Sequence, residues 1–364
     1  MEEKELLEFD VIIVGAGVIG LAIAERVSRR FDNVLLVEKE SAFGQHTSSR
    51  NSEIIHSGIY YQTGSLKAKL CVKGNSMLYD FMCKHDIDHR MCGKLIVATE
   101  EEEIGELESL LQNGKRNGVK GIELISTEEI KKKQPEIKAI KALWVPSTGI
   151  MDTHGIMMKL EQLAEENGAT ISYNTEVCAI EKKQDKYQIR LLDQDYRVQT
   201  PVVINSTGLW SADVSNMADI GEYKIQWCKG EYYKTNKYKD MSCLVYPVPN
   251  SISLGIHTVI GLDGNLSFGP NAYYVDELNY NFDASHKKQF HEAISRYLDV
   301  EYDDLQKNTS GIRPKLQKTL DKPVDYVILK ERNKPDFINL VGIESPGFTC
   351  CLSIANFIED LLEE

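Results

Sequence analysis

No stretch of this chain approaches the roughly 18 consecutive apolar residues of a membrane-spanning helix, so no transmembrane segment is expected. The opening MEEKELLEFD is acidic rather than basic and then apolar, so a secretory leader is not expected either. Positive charge is short: 42 Lys and Arg against 55 Asp and Glu leave a formal net charge of −13. A nucleic-acid partner calls for a basic footprint, and none is expected here. A small anionic ligand remains admissible if a few local Arg or Lys attract it. Internal repeats and low-complexity linkers are missing, which leaves 364 residues for two closely packed domains. The eight cysteines therefore read as reduced thiols in a cytoplasmic protein, with peripheral membrane contact still open. Cys83, His85, His89 and Cys92 fall within ten residues, but C-x-H-x3-H-x2-C matches none of the usual zinc spacings. That segment reads as a helix end entering a strand, and no metal is expected.

What the chain does have begins at VIIVGAGVIG, residues 11–20. Four apolar residues form a buried strand, and Gly15, Gly17 and Gly20 follow in the G-x-G-x-x-G spacing. VIGLAIAERVSRR has apolar residues at helical spacing and a basic last turn. NVLLVEKE is a second strand ending in Glu38, which makes a βαβ unit with parallel strands. Gly15 permits the turn, Gly17 allows close approach of a pyrophosphate to the backbone, and Gly20 lets helix and strand pack closely. The helix N-terminus offers free N–H groups to phosphate. Glu38 is placed to accept from ribose hydroxyls and disfavours a 2′-phosphate, so the nucleotide is FAD or NAD.

Beyond the unit, residues 41–65 are a polar loop, 66–85 a helix, KLIVAT a strand and 100–117 a charged helix. The lysines 131–133 are a solvated face. PSTGIMD (146–152) reads as a turn, 154–168 as a helix with a glycine stop, and 169–208 as several strands ending in Ser-Thr-Gly. Residues 223–275 are strand-rich and point to a separate antiparallel sheet. Residues 285–299 are helical, and the tail is a strand, a glycine turn and a final helix.

Several landmarks occur in order along nearly the whole chain: SSRNSEIIHSGIYY (48–61), CGKLIVAT, PSTGIMD, NSTG (205–208), YPVP, LGIHT, FGPNA, GIRPKL and GIESPGFT (342–349). With the N-terminal glycine fingerprint they resemble FAD-dependent oxidoreductases of the D-amino-acid-oxidase superfamily. The nearest pattern is the L-2-hydroxyglutarate dehydrogenase/oxidase group, from which the chain departs at residues 50–53. The resemblance implies an α/β fold: a Rossmann-like FAD-binding domain interrupted by a substrate domain with an antiparallel sheet. Residues 1–85, 145–220 and 305–364 are expected to form the first, residues 86–144 and 221–304 the second, with non-covalent FAD between them.

The same resemblance implies the site. His56 and Arg313 are the expected catalytic pair, His56 taking the substrate hydroxyl proton and Arg313 gripping a carboxylate bidentately. Arg50, Tyr61, Tyr233, Tyr246, His257 and Lys315 are expected at the substrate, with Asn271 of second rank. The cofactor set is Gly15, Gly17, Val18, Gly20, Glu38, Lys39, Ser48, Ser49, Asn51, Ser52, Val177, Thr207, Gly208, Gly342, Ser345, Gly347, Phe348 and Thr349. Lys229 and Gly230 resemble a step that turns a strand under the flavin. Cys350 and Cys351 read as helix packing. The implied activity is oxidation of a 2-hydroxy acid to the 2-oxo acid by hydride transfer to flavin, with a quinone, another carrier or oxygen as electron acceptor. An amino-acid oxidase, a glycerol-3-phosphate dehydrogenase, a redox-sensing flavoprotein without turnover and a flavin-free nicotinamide enzyme remain open as alternatives.

Overall fold

The computed structural model describes residues 6–221, 223–239, 241–249, 255–319, 324–332 and 335–363. The first five residues of the acidic opening, and residues 250–254 of the strand-rich stretch, lie outside this set. The centre is a six-stranded sheet in the order Thr170–Ser172, Val34–Val37, Val11–Val14, Val202–Asn205, Asp336–Val341, Val327–Arg332. The first five strands run parallel and the last is antiparallel. VIIV is apolar throughout because both of its faces are covered. Val11 and Ile13 join a core under the helices Val18–Val27, Leu66–His85, Thr153–Glu166 and Gly347–Glu363. Ile12 and Val14 join a second core, beneath a small sheet that includes Val177–Lys183 and Lys186–Leu191.

Gly20 has no room for a side chain: a Cβ there would meet the Gly15 carbonyl oxygen at 1.9 Å. Gly15 itself has φ +99°, in the left-handed region that glycine tolerates. The first strand therefore turns straight into the first helix, whose N-terminus opens at the carboxyl edge of the sheet.

A second body is built on a five-stranded antiparallel sheet. Its long strand, Gln226–Thr235, pairs with Leu266–Gly269, Tyr273–Val275 and Gln306–Lys315. A neighbouring sheet orders Leu244–Pro247, Lys94–Ala98, Lys141–Val145 and Glu123–Ser126, and shares one core with the first. Two segments differ from expectation. Gln306–Lys315, inside the 305–364 stretch assigned to the nucleotide-binding domain, is a strand of the antiparallel sheet. It runs the length of Gln226–Lys234, so the chain returns to the parallel sheet only afterwards. PSTGIMD holds more than a turn: Gly149–Met151 pairs with Ile54–Ile55 and His89–Arg90, which buries Ile150 and Met151 in different cores. All eight cysteines are free.

Ile13 is fully buried in the middle of the parallel sheet. Ile13→Ala should cost about 3 kcal/mol of stability, read as a lower urea midpoint.

Candidate active site

A cavity of about 670 Å3 extends from the glycine turn to the antiparallel sheet. Its first wall is the carboxyl edge of the parallel strands, where open α/β sheets bind ligands. Gly15, Gly17 and Val18 line it. The Ser48 hydroxyl accepts from Val18 N–H at 3.0 Å, and a Cβ on Gly17 would sit 3.1 Å from that oxygen. Glu38 lines the same wall. Its carboxylate accepts from Ala16 N–H at 2.7 Å and Glu40 N–H at 2.9 Å, which leaves lone pairs for a diol. Val177, Thr207 and Gly208 complete this end, and Lys39 projects over the Trp210 ring at 3.3 Å. A glycine cradle, a helix N-terminus and an anchored carboxylate suit a dinucleotide whose pyrophosphate lies over residues 15–18.

The loop 47–56 crosses between the two bodies. Thr47 donates to the Ile312 carbonyl at 3.0 Å, and a Cβ on Gly311 would meet the Arg50 carbonyl oxygen at 2.2 Å. Asn51 braces the loop, donating to the Ser48 carbonyl at 2.7 Å and accepting from Glu53 N–H at 2.8 Å. Arg50 lies 4.0 Å over the Tyr280 ring, and Ser52 bonds the Tyr232 hydroxyl at 2.8 Å. His56 is pinned through its backbone. Its N–H donates to Thr349 Oγ1 at 3.0 Å and its carbonyl accepts from Asn75 at 2.9 Å. Arg50, Asn51, Ser52, His56 and Tyr61 all line the cavity.

The turn before the final helix brings Ser345, Gly347 and Phe348 to the cavity, with Ser345 Oγ 3.2 Å from His56 Nε2. Beside it, Glu344 is an ion hub, 3.2 Å from Lys67 Nζ and 2.7 Å from Lys315 Nζ. Burial alone would raise its carboxyl, but the two ammonium groups outweigh that and hold it below the usual carboxylate value. Lys315 therefore lines the cavity with its charge already matched.

Arg313 is different. Its guanidinium donates to three backbone carbonyls, Cys228 at 3.4 Å, Lys229 at 3.2 Å and Asn271 at 2.9 Å. No carboxylate forms an ion pair with it among the described residues. Gly230 makes the room, because a Cβ there would stand 2.9 Å from Arg313 Nη2.

Two neutral imidazoles share the cavity. Burial, assisted by the Lys94 charge, pushes His56 down to about 3. Burial likewise pushes His257 to about 3, against the bond from its Nδ1 to the Thr258 carbonyl at 3.1 Å and with help from Lys94. That bond fixes the Nδ1–H tautomer and leaves Nε2 with a free lone pair. His257 stacks flat on Tyr246, centroids 3.7 Å apart. Lys94, on the strand behind, is pushed down to about 7 by burial.

Six expected residues do not line the cavity, among them Asn271, whose Oδ1 accepts from Glu231 N–H at 2.8 Å. Gly20 and Gly342 shape the backbone, Ser49 lies in the short turn 47–49, and Thr349 acts through the His56 backbone. Tyr233 is a correction. Its ring packs in the core against Phe282 and Phe290, while its neighbour Tyr232 faces the cavity. Strand side chains alternate, so the residue two after the cavity-lining Gly230 is Tyr232; counting by two from the glycine would have found it. Tyr60, Lys94 and Glu344 were also missed, although each lies inside a quoted landmark segment, SSRNSEIIHSGIYY, CGKLIVAT and GIESPGFT.

The family described as FAD dependent oxidoreductase matches residues 10–361. The L-2-hydroxyglutarate dehydrogenase of Arabidopsis thaliana is 34% identical, across 96% of this chain and 82% of its own. The glycerol 3-phosphate dehydrogenase of Caloramator mitchellensis is 31% identical, across 98% and 74%. Among solved structures, the FAD-bound L-alpha-glycerophosphate oxidase of Mycoplasma pneumoniae superposes with a TM-score of 0.89 at 27% identity, covering 98% of this chain and 95% of its own.

Both cavity histidines should stay neutral through the mildly acidic range, so 15N ring resonances should report no protonation between pH 7 and 5. The unfolded chain takes up these protons near 6.5 while the native state waits until about 3. Stability should therefore fall as pH drops below 6.5, by about 1.4 kcal/mol per pH unit for each histidine.

Proposed function

The chain belongs to the family of FAD-dependent oxidoreductases, and on that premise we propose that it oxidises a 2-hydroxy acid to the 2-oxo acid, with L-2-hydroxyglutarate as the lead substrate. The observation that carries the substrate class is Arg313, a buried cation whose hydrogen bonds among the described residues go to backbone carbonyls, with no direct ion pair. A carboxylate supplies the missing counter-charge with matching bidentate geometry. Lys67 and Lys315 are both committed to Glu344, so neither adds a second free cation for a phosphate dianion; Arg50, over the Tyr280 ring, is the other cavity-lining cation without an ion pair among the described residues.

FAD, when bound, supplies the two-electron acceptor for the hydride that leaves the substrate's α-carbon. The residues fit it. Gly15, Gly17 and Val18 would take the pyrophosphate, Glu38 the ribose hydroxyls, and Val177, Thr207 and Gly208 the adenosine side. Ser48, Asn51, Ser52, Ser345, Gly347 and Phe348 would hold the flavin end. Arg313 grips the substrate's C1 carboxylate and orients the α-carbon. His56 accepts the hydroxyl proton at Nε2, the atom that Ser345 already touches. The neutral imidazole is ready to accept, and the incoming negative charge raises its basicity toward the working range. His257 and Tyr232 line the substrate's surroundings and exclude water.

Electrons then pass to a quinone, another carrier or oxygen. No helix among the described residues is long and apolar enough to cross a membrane. We read the enzyme as cytoplasmic, at most peripheral to a membrane.

Purified protein should be yellow, and its band near ~450 nm should bleach anaerobically on adding L-2-hydroxyglutarate. Bleaching by sn-glycerol 3-phosphate instead would overturn the reading. His56→Gln should lower kcat by roughly 10²- to 10⁴-fold with a smaller change in KM. Arg313→Lys should raise KM by about tenfold or more, because the fork geometry is lost.

A further inference from the structure

Residues 276–286 connect the strand Tyr273–Val275 to the helix Lys287–Ser295, and they are tied down on the antiparallel body. Ser310 Oγ donates to the Tyr280 carbonyl at 2.6 Å, and Lys229 donates to the Asn281 carbonyl. Glu231, fully buried, accepts from Asp283 N–H at 2.6 Å and lies 2.8 Å from His286 Nδ1. Phe282 stands edge-on to Tyr233, centroids 5.0 Å apart. Lys229 and Glu231 alternate along their strand with Gly230 and Tyr232, which line the cavity. One face of that strand thus holds the segment while the other shapes the cavity.

Tyr280 reaches away from this anchorage to the loop 46–50 of the nucleotide-binding body. The Arg50 guanidinium lies 4.0 Å over its ring, and its hydroxyl is 3.0 Å from His46 Nδ1. His46 Nε2 faces the Glu40 carboxylate at 2.9 Å. A carboxylate accepts there, so in the neutral ring Nδ1 accepts from the Tyr280 hydroxyl. The His46 ring also stands edge-on to Trp210, centroids 4.7 Å apart, and Lys39 lies over the same indole. Lys39, Trp210, His46 and Arg50 all line the cavity, whereas Tyr280 stands behind them.

A row of cationic and aromatic groups therefore runs along the cavity wall from Lys39, next to Glu38, to Arg50. Most of it belongs to the nucleotide-binding body. The ring that joins His46 to Arg50 is supplied by the other body. A dinucleotide laid between the two bodies is enclosed on this side only while that ring is in place.

We propose that Tyr280 is a clasp: acting through His46 and Arg50, it fastens the antiparallel body to the loop 46–50 and sets how long FAD stays bound. The clasp concerns the cofactor and stands whichever substrate is oxidised. Tyr280 is a positioning residue, since the atoms facing the cavity are those of His46 and Arg50. One cation–π contact and one hydrogen bond, each worth up to about tenfold, together set the expected size of the effect at roughly 10- to 100-fold.

The test follows FAD release from the holoprotein, read as the recovery of free flavin fluorescence after dilution. Tyr280→Ala should release FAD roughly 10- to 100-fold faster than wild type, with the melting temperature of the apoprotein unchanged. Tyr280→Phe keeps the ring under Arg50 and loses only the bond to His46, so its release rate should fall between the two. Arg50→Gln should also speed release. Because ring and guanidinium act through one contact, the double variant Arg50→Gln/Tyr280→Ala should release FAD more slowly than the product of the two single effects requires.

Release at the wild-type rate in Tyr280→Ala overturns the clasp. A double variant whose effect equals the product of the single effects also overturns it, whatever the melting temperatures, because the ring then acts on the fold and not through the guanidinium.

Discussion

A guanidinium taken out of water costs several kcal/mol unless its N–H donors find acceptors and its charge finds compensation. Arg313 meets the first demand from backbone alone, through the carbonyls of Cys228, Lys229 and Asn271. Much of the antiparallel body is shaped by that arrangement. Two segments present carbonyls to Arg313, the strand Gln226–Thr235 and the loop at Asn271, and Gln226–Thr235 pairs with Gln306–Lys315 along nearly its full length. Gly230 must be glycine because the guanidinium fills the volume of its Cβ, and Gly311, directly opposite, must be glycine because the Arg50 carbonyl presses on it. Among the described residues no carboxylate forms an ion pair with it, and the buried Glu344 acts on its charge from farther off.

Charge elsewhere in the cavity is distributed on the opposite plan. Glu344 absorbs both Lys67 and Lys315, so the turn around residues 344–348 is held rigidly by two buried ion pairs and has little spare attraction for a second anion. One wall is neutralised by direct ion pairs and the other has none among the described residues, and in the proposed reaction that difference gives a substrate carboxylate a direction as well as a site. The histidines of the cavity stay uncharged because burial and the nearby Lys94 charge both disfavour the protonated ring. Uncharged, they do not repel the arginine beside them, whereas Arg313 disfavours the protonated form of His257.

The nucleotide-binding edge was legible because its information is short-range. Strand, glycine spacing, helix and terminal acid fall within Val11 to Glu38, and each follows from a local rule. His56, Arg313 and the turn 342–349 were legible through whole segments that resemble a family. The antiparallel body was harder. Tyr233 and Tyr232 are adjacent, and only the pleat, counted from Gly230, says which one meets the cavity. Lys94 and Tyr246 are separated along the chain and meet because Lys94–Ala98 lies beside Leu244–Pro247 in parallel register. A lysine opening KLIVAT looks like an ordinary strand entrance until the rings around it are known. The boundary near 305 was misjudged for a related reason, since a strand does not carry the name of the sheet it will join.

The order of the central sheet has a consequence for biogenesis. Val11–Val14 and Val34–Val37 are among the first segments to be synthesised, and Asp336–Val341 is among the last. Between them sits Val202–Asn205, whose Asn205 carboxamide bonds Asn339 at 2.8 Å inside the core. The final helix clamps the first through Arg26 and Glu359. A ribosome making this protein therefore exposes a half-built sheet, with an unpaired inner edge and an uncovered apolar face, until translation is nearly over. Pairing across such a sequence distance is slow and open to aggregation. The glycine turn, though complete in sequence within the first twenty residues, is closed by Ser206 and Thr207, which are synthesised long after it.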